Sequence, residues 1–259
     1  MRVLVTNDDG VHSPGIRALA AAVAATGHEP DVVAPLTDRS GAGSAMDHGS
    51  GRVLSTETLT LPGLPGIPVR GIDGAPALAV LVARLAPPGA RPWCVVSGIN
   101  AGANVGRAVL HSGTVCAALT AATLGMSGLA VSVDSAAPEH LDTAARVAGL
   151  ATEWIVAARK RTVLNVNVPD VPFEDLRGVR WGRLAAGGRA RLSAHPGEAA
   201  GEVRLEADAS AAVVDPRTDA GLLAAGYVTV TPLTGIEAVE DDTAASALDE
   251  SLARAAGLR

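Results

Sequence analysis

The spacing of apolar residues along the chain follows two alternating patterns. Short continuous apolar runs bounded by Gly, Pro or Asp are typical of buried strands, and longer runs with apolar positions every three or four residues are typical of helices. The predicted strands span residues 2–6, 29–34, 53–60, 68–72, 93–96, 129–133, 163–168 and 226–232. The predicted helices span residues 14–26, 75–85, 113–124, 139–161 and 239–257.

The order of these elements predicts the fold class. A strand, a helix and a second strand within residues 2–34 form a βαβ unit, which joins two parallel strands. Because the alternation continues to residue 168, we predict an α/β fold. The predicted fold has a Rossmann-like, doubly wound, mostly parallel sheet with helices on both faces.

The chain after residue 184 departs from this pattern. Residues 185–217 are rich in Gly, Ala and Arg, with one weak strand pattern at 202–206. We predict that this segment is an arm that protrudes from the core and contributes to an oligomer contact. Residues 1–259 are predicted to form a single domain, with a C-terminal helix within 239–259.

The overall composition excludes several classes of partner. The 259 residues carry a net charge of −6, which disfavours sequence-independent binding to nucleic acid polymers, and only 2% are aromatic, too few for a base-stacking surface. No apolar run reaches the roughly 18 residues of a membrane span, and Asp8 and Asp9 precede any signal-peptide core. We therefore expect a cytoplasmic protein that binds neither membranes nor nucleic acid polymers.

Polar clusters follow three of the predicted strands. Since ligands of open parallel sheets bind beyond the carboxyl ends of the strands, we expect these clusters to meet. The first cluster is Asn7, Asp8 and Asp9. The second is residues 38–41, which include Ser40. The third is Asn100 with the glycine-rich loop 102–106 and residues 112–114.

The adjacent carboxylates Asp8 and Asp9 allow two interpretations. They could form a turn that caps the following helix, or they could hold a hard cation, since like charges side by side repel without a counter-charge. Mg²⁺ or Mn²⁺ prefers oxygen ligands, which the two aspartates, Ser40 and Asn100 would supply. Zinc is not indicated, because the six histidines are scattered and the two cysteines, Cys94 and Cys116, lie in apolar runs as expected for buried free thiols.

Residues 112–114 also allow two interpretations. Ser112, Gly113 and Thr114 precede a helical run, where backbone N–H groups and two hydroxyls could bind phosphate. A plain Ser or Thr N-cap is the alternative. Arg39 could hold phosphate oxygens or pair with Asp38, and we favour the pair.

A response-regulator receiver domain also begins with a strand and an Asp-Asp pair. It needs a lysine after a late strand, whereas the only lysine here, Lys160, lies near the end of a predicted helix. The chain is also too long for such a domain. We therefore reject this alternative.

Seven motifs resemble the SurE family of nucleotidases in their order and spacing. They are VLVTNDDG, SPGI, APLTDRSGAG, VVSGINAGANVG, HSGTV, LNVNVPD and GYVTVTPL. The resemblance covers most of residues 1–135, 162–184 and 216–233. TNDDG is a modest signal alone, but SGINAGAN and SGTV at these distances make it highly specific.

The resemblance implies a metal-dependent phosphatase that acts on nucleoside 5′- and 3′-monophosphates. One Mg²⁺ or Mn²⁺ per subunit would be held by Asp8, Asp9, Ser40 and Asn100. Asp8, Asp9 and Asn100 would be the catalytic residues, with either aspartate acting on the attacking water. The phosphate site would be lined by Asn104, Ser112, Gly113 and Thr114. Family members are homodimers or homotetramers that exchange arms and C-terminal segments.

Several positions depart from the family pattern. Arg107 and Ala108 replace acidic residues, His111 replaces a tyrosine, and Thr120 replaces an acidic residue in the next helix. Residues 44–47 and 74–79 also differ. These changes keep two alternatives open: a non-catalytic nucleotide- or metal-binding homologue, and a phosphatase for a sugar phosphate or short polyphosphate. His111 could protonate a leaving alkoxide, although a solvated loop histidine is the simpler interpretation.

Overall fold

The computed structural model describes residues 1–46, 51, 53–187, 191–197, 199, 201–208, 215–237 and 243–255. The strands are β1 (Arg2–Thr6), β2 (Glu29–Pro35), β3 (Thr56–Leu59), β4 (Val69–Ile72), β5 (Cys94–Ala101), β6 (Ser127–Val133), β7 (Val163–Val168), β8 (Val179–Trp181), β9 (Arg191–Pro196), β10 (Val203–Asp208) and β11 (Val228–Leu233). The helices are α1 (Pro14–Ala25), α2 (Pro76–Arg84), α3 (Gly113–Thr123), α4 (Leu141–Ala157), α5 (Asp219–Ala224) and α6 (Thr243–Ala255).

The described strands form one nine-stranded sheet and a separate two-stranded hairpin. The sheet order is β3-β4-β2-β1-β5-β6-β7-β11-β8. The six strands from β4 to β7 in this order are parallel, while β3 and β11 run antiparallel to β4 and β7. The predicted α/β, mostly parallel sheet is confirmed.

Two helical layers cover the faces of this sheet. Successive side chains of a strand point to opposite faces. In β1, Val3 and Val5 accordingly pack with α1 and α4, whereas Leu4 packs with α2 and α3. Burial on both faces explains why the central strands are continuous apolar runs, and it confirms the doubly wound arrangement.

The structure differs from the prediction at the end of β5 and near the C-terminus. β5 extends to Ala101, so Ser97–Asn100 continue the strand, with a register shift against β6 between Ser97 and Asn100. β8, β9 and α5 were not predicted, because each is short and lacks a clear apolar pattern.

The described part of the predicted arm contains the antiparallel β9–β10 hairpin. Its role in oligomer contacts and the assignment of residues 1–259 to a single domain stay predictions. α6 lies within the predicted terminal helix, whose flanking residues 239–242 and 256–259 are outside the described residues.

Other sequence predictions concern the cysteines and membrane spans. Cys94 and Cys116 are free and buried, as predicted. Burial raises the pKa of the Cys94 thiol to about 12. Among the described helices, none combines the length and the apolar character that a bilayer crossing requires.

Candidate active site

The turn after β1 is fixed by the buried side chain of Asn7. Its Nδ2 donates to the Gly10 carbonyl at 3.0 Å and to Ser13 Oγ at 2.8 Å. Ser13 in turn caps α1 by accepting a hydrogen bond from a backbone N–H of its first turn. Ser13, not Asp8 or Asp9, is therefore the N-cap of α1, and the helix-cap interpretation of the two aspartates is wrong. Both carboxylates are available for another role.

Asp8 lies against the N-terminus of α3 and is only 4% exposed. Thr114 Oγ1 donates to Asp8 Oδ1. The backbone N–H groups of Gly113 and Thr114 also bond to this carboxylate. A Cβ at position 113 would lie 2.8 Å from Asp8 Oδ2, so this close approach requires glycine. Burial raises the pKa of Asp8, and the hydrogen bonds from α3 partly offset that rise.

Asp9 is half-buried beside Asp8. The pKa of Asp9 is raised to about 6. Burial and the charge of Asp8 raise it, and a hydrogen bond from the Ala101 N–H partly offsets the rise. The charge of Asp38 raises it further. Among the described residues, no Arg, Lys or His forms an ion pair with either aspartate. The two negative charges are therefore uncompensated within the described protein.

The loop that carries Ser40 contacts the end of β1. The backbone N–H of Arg39 donates to the Asp8 carbonyl at 2.8 Å. Asp38 Oδ1 accepts from the backbone N–H of Ser40 at 2.7 Å and from its hydroxyl at 2.6 Å. The predicted Arg39–Asp38 pair is wrong: Asp38 closes a turn on Ser40, and the Arg39 side chain instead pairs with Asp73 at 2.8 Å.

Asn100 reaches the same cluster from the neighbouring strand, β5. Its Nδ2 donates to the Gly102 carbonyl at 2.6 Å. This bond leaves the amide oxygen Oδ1 for other partners, and Thr114 Oγ1 lies 3.4 Å from it. The Thr114 hydroxyl thus lies between Asn100 and Asp8.

These residues fit a hard divalent cation. No group of three or more His, Cys, Asp or Glu side chains suited to a metal occurs in the described part of the chain. The donors here are two carboxylates with a hydroxyl and an amide oxygen, a set that suits Mg²⁺ or Mn²⁺ rather than zinc. The uncompensated pair of carboxylates is the observation that supports the fit.

Ser112 is the N-cap of α3, as one of the two interpretations proposed. Its Oγ accepts from the Val115 N–H at 3.1 Å, and this leaves the hydroxyl proton for another acceptor. The hydroxyl of Thr114 is already bonded to Asp8. The structure therefore brings Gly113 and Thr114 to Asp8, with Ser112 next to them as the N-cap.

Asn104 is fixed by two asparagines that sequence reasoning missed. Its backbone N–H donates to Asn167 Oδ1 at 2.7 Å, and its carbonyl accepts from Asn165 Nδ2 at 2.8 Å and Asn167 Nδ2 at 3.0 Å. Its own Nδ2 donates to Ser132 Oγ at 2.9 Å. The available signal was a pair of polar residues two positions apart in the otherwise apolar strand β7, where both point to one face.

Asp219 is a third missed residue and is completely buried. Its carboxylate accepts from the backbone N–H groups of Gly106 at 2.8 Å, Ala185 at 2.9 Å and Ala220 at 2.8 Å. It therefore ties the glycine-rich loop to residue 185 and to α5. The signal was the Thr218-Asp219 pair in front of a short apolar run.

Four of the residues that depart from the family pattern lie in the turn before α3 and in α3 itself. Arg107, Ala108 and His111 are exposed in the turn at residues 106–111. The Thr120 hydroxyl donates to the Cys116 carbonyl within α3. An acid role for His111 stays a prediction.

The fold and this cluster define an α/β protein with an acidic site at the carboxyl ends of its central parallel strands, next to a helix N-terminus. The chain belongs to the SurE family, because the family model described as "Survival protein SurE" matches residues 3–190. The family resemblance seen in the sequence motifs is confirmed.

Named relatives and a solved structure agree with this membership. The chain is 38% identical over 238 residues to the 5′-nucleotidase SurE of Nitratidesulfovibrio vulgaris strain Hildenborough, covering 90% of this chain and 93% of the relative. It is 40% identical over 237 residues to the 5′/3′-nucleotidase SurE of Edwardsiella ictaluri, covering 90% and 89%. The crystal structure of SurE protein from Aquifex aeolicus superposes with a TM-score of 0.78 at 27% identity, covering 95% of this chain and 98% of that one.

Proposed function

We propose that this protein is a metal-dependent phosphomonoesterase that hydrolyses nucleoside 5′- and 3′-monophosphates to nucleoside and phosphate. The observation that carries the proposal is the uncompensated Asp8–Asp9 pair at the end of β1, packed against the N-terminus of α3. Relatives named 5′-nucleotidase and 5′/3′-nucleotidase support the choice of substrate class.

Asp8, Asp9, Ser40 and Asn100 would hold one Mg²⁺ or Mn²⁺ per subunit. When bound, such a cation offsets the charge of the phosphate and lowers the pKa of a bound water. The hydrogen bonds from α3 and from Ala101 orient the two carboxylates before the ion arrives.

The phosphate would bind at the N-terminus of α3 and beside the glycine-rich loop. The Ser112 hydroxyl keeps a proton to donate to a phosphate oxygen, and the helix N-terminus favours negative charge. Asn104 would contact the phosphate from the loop, in an orientation set by Asn167 and Ser132.

The sequence left open which aspartate acts on the attacking water. Asp8 accepts the Thr114 hydroxyl and N–H groups of α3, whereas Asp9 accepts one backbone N–H, from Ala101. Asp9 therefore has more lone pairs available to orient the water and to accept its proton. Asp9 is also the more exposed of the two.

Two alternatives follow from the substitutions at Arg107, Ala108 and His111. One is a homologue that binds a nucleotide or metal without turnover. The other is a phosphatase for a sugar phosphate or a short polyphosphate. The relatives named 5′-nucleotidase and 5′/3′-nucleotidase favour an enzyme over a binding protein, while the altered exposed residues bear on which ester is preferred.

The decisive experiment measures phosphate release from p-nitrophenyl phosphate, a panel of nucleoside 5′- and 3′-monophosphates, sugar phosphates and tripolyphosphate. Each assay contains Mg²⁺, Mn²⁺ or EDTA. Asp8→Asn is compared with Asp142→Asn, which makes the same change of charge in the first turn of α4. We expect metal-dependent release that Asp8→Asn abolishes and Asp142→Asn preserves.

Other outcomes separate the alternatives. Release from sugar phosphates or tripolyphosphate that exceeds release from nucleotides would support the second alternative. No release with any metal, from protein that binds Mn²⁺ by calorimetry, would support the non-catalytic homologue and refute the phosphatase.

The remaining expectations from the family resemblance are part of this proposal. We propose a homodimer or homotetramer, with residues 185–217 and α6 as contact segments; light scattering of the full chain measures the mass. The cytoplasmic location expected from the sequence stays a prediction.

A further inference from the structure

A basic cavity lies at the amino ends of the central strands, on the side of the main sheet opposite the candidate active site. Its volume is about 510 Å³. It is lined by Arg2 at the start of β1, Trp93 just before β5 and Met126 just before β6. Asp8 and Asn100 lie at the other ends of these strands, so the cavity is separate from the candidate active site.

The cavity concentrates positive charge in a protein whose net charge is −6. Four cationic side chains line it, Arg2, Arg84, Arg91 and Lys160, against a single acidic one, Glu29. Cations that line one cavity attract a negatively charged ligand.

Two of the arginines are anchored with their charged ends available. Arg84 Nε donates to the Leu124 carbonyl at 3.4 Å, and Arg91 Nε donates to the Ala86 carbonyl at 3.0 Å. Each bond orients the guanidinium and leaves both terminal NH₂ groups for a ligand. Neither arginine forms an ion pair with a carboxylate in the described part of the chain.

The other two cations are also poorly neutralised. Arg2 lies 4.0 Å from Glu29, whose side chain is 73% exposed, so this pair is weak. Lys160, the only lysine of the chain, lies with its ammonium 4.7 Å from the ring centroid of Trp93. Trp93 is itself fixed, since its Nε1 donates to the Val156 carbonyl at 3.0 Å. The ring orients Lys160 without neutralising it.

We propose that this cavity binds an anion that carries several phosphate groups. Guanidinium groups anchored through Nε present parallel N–H donors to phosphate oxygens, and three negative charges would balance the excess of the four cationic side chains over Glu29. The shared chemistry is a phosphate chain, either free or as part of a nucleoside triphosphate. This proposal does not depend on the proposed phosphatase activity.

The test is isothermal calorimetry with tripolyphosphate, ATP and orthophosphate. The full chain is kept in EDTA at low ionic strength, so that no cation holds phosphate at the Asp8–Asp9 site. We expect one tripolyphosphate per chain, bound at least about tenfold more tightly than orthophosphate. If ATP binds more tightly than tripolyphosphate, the preferred ligand is a nucleoside triphosphate. If the two bind equally, the cavity recognises the phosphate chain alone.

Matched variants locate the binding site. Lys160→Gln, at a side chain without a described hydrogen bond, and the double variant Arg84→Gln/Arg91→Gln should each weaken tripolyphosphate binding about tenfold or more. The double variant Arg177→Gln/Arg180→Gln, which removes two guanidiniums from the ring of Tyr227, should leave it unchanged.

Three results would overturn the proposal. They are the absence of saturable tripolyphosphate binding, equal affinity for orthophosphate, and binding that neither cavity variant weakens. Circular dichroism confirms that each variant is folded before it is titrated.

Discussion

Asp219 is expected to control the geometry of the candidate site without contacting substrate. Its buried carboxylate holds the backbone N–H groups of Gly106, Ala185 and Ala220. Oδ1 accepts two of these bonds and Oδ2 accepts the one from Gly106. In Asp219→Asn, an amide oxygen can replace only one carboxylate oxygen, and the NH₂ group would then face a backbone N–H. The variant therefore separates the glycine-rich loop from residue 185.

The magnitude follows from these bonds. A hydrogen bond to a charged group contributes about 1.5–3 kcal/mol, and a buried donor left without a partner costs about 1–3 kcal/mol. Losing the Gly106 bond and weakening the other two should cost about 2–4 kcal/mol in the free energy of unfolding. For a chain of this size each kcal/mol lowers Tm by about 2–4 °C, so we expect Tm to fall by about 5–15 °C.

Thermal unfolding and steady-state kinetics measure the two effects of this substitution. The loop carries Asn104, so KM for p-nitrophenyl phosphate should rise and kcat/KM should fall about tenfold or more at a temperature where the variant is folded. Asp170→Asn is the control, because Asp170 accepts the N–H groups of Glu139 and His140 where solvent can replace it. Equal Tm values for the two variants, or an unchanged KM in Asp219→Asn, would refute the reasoning.

Three further predictions concern the same site. Gly113→Ala would place a methyl group 2.8 Å from Asp8 Oδ2 and should abolish Mn²⁺ binding by calorimetry, whereas Gly89→Ala, with nothing within 4 Å, should not. The raised pKa of Asp9, about 6, means that the folded metal-free protein holds this proton more tightly than the unfolded chain. The contribution of Asp9 to stability in EDTA should therefore be fully present below pH about 4 and be lost as the pH rises through about 6. Tm measured against pH checks this, and an equal slope in Asp9→Asn would contradict it. Asn167→Ala leaves a backbone N–H of the glycine-rich loop without its acceptor and should lower the free energy of unfolding by about 1–3 kcal/mol in urea titrations.

The sheet was predictable because its central strands are buried on both faces. Such strands contain continuous apolar runs, as in β1 and β2, and the helices between them carry clear start signals, such as Ser13-Pro14 before α1. Neither signal exists for β8, a three-residue edge strand whose residues are all exposed. α5, with six residues, is also too short for a helical period to be recognised.

The candidate site was predictable in its residues but less so in its contacts. Asp8 and Asn100 could be grouped because the carboxyl ends of adjacent parallel strands lie side by side, and Thr114 because it lies at the start of the helix that follows the loop after Asn100. The pairing of Arg39 with Asp73 could not be foreseen, since it joins two loops that only the sheet order brings together. Asp219 was missed for the same reason: its partners Gly106 and Ala185 lie far from it along the chain.

Two glycines set the distances within the candidate site by backbone packing. A Cβ at Gly15 would lie 2.0 Å from the Ile99 carbonyl oxygen, and one at Gly113 would lie 2.8 Å from Asp8 Oδ2. α1 and α3 can therefore approach the ends of β5 and β1 only because these positions lack side chains. The substitutions at Arg107 and His111 are exposed and leave both contacts in place. They change exposed side chains, whereas the contacts of Asp8 with the N-terminus of α3 involve neither residue, and this favours a change of preferred ester over a loss of phosphate-ester cleavage.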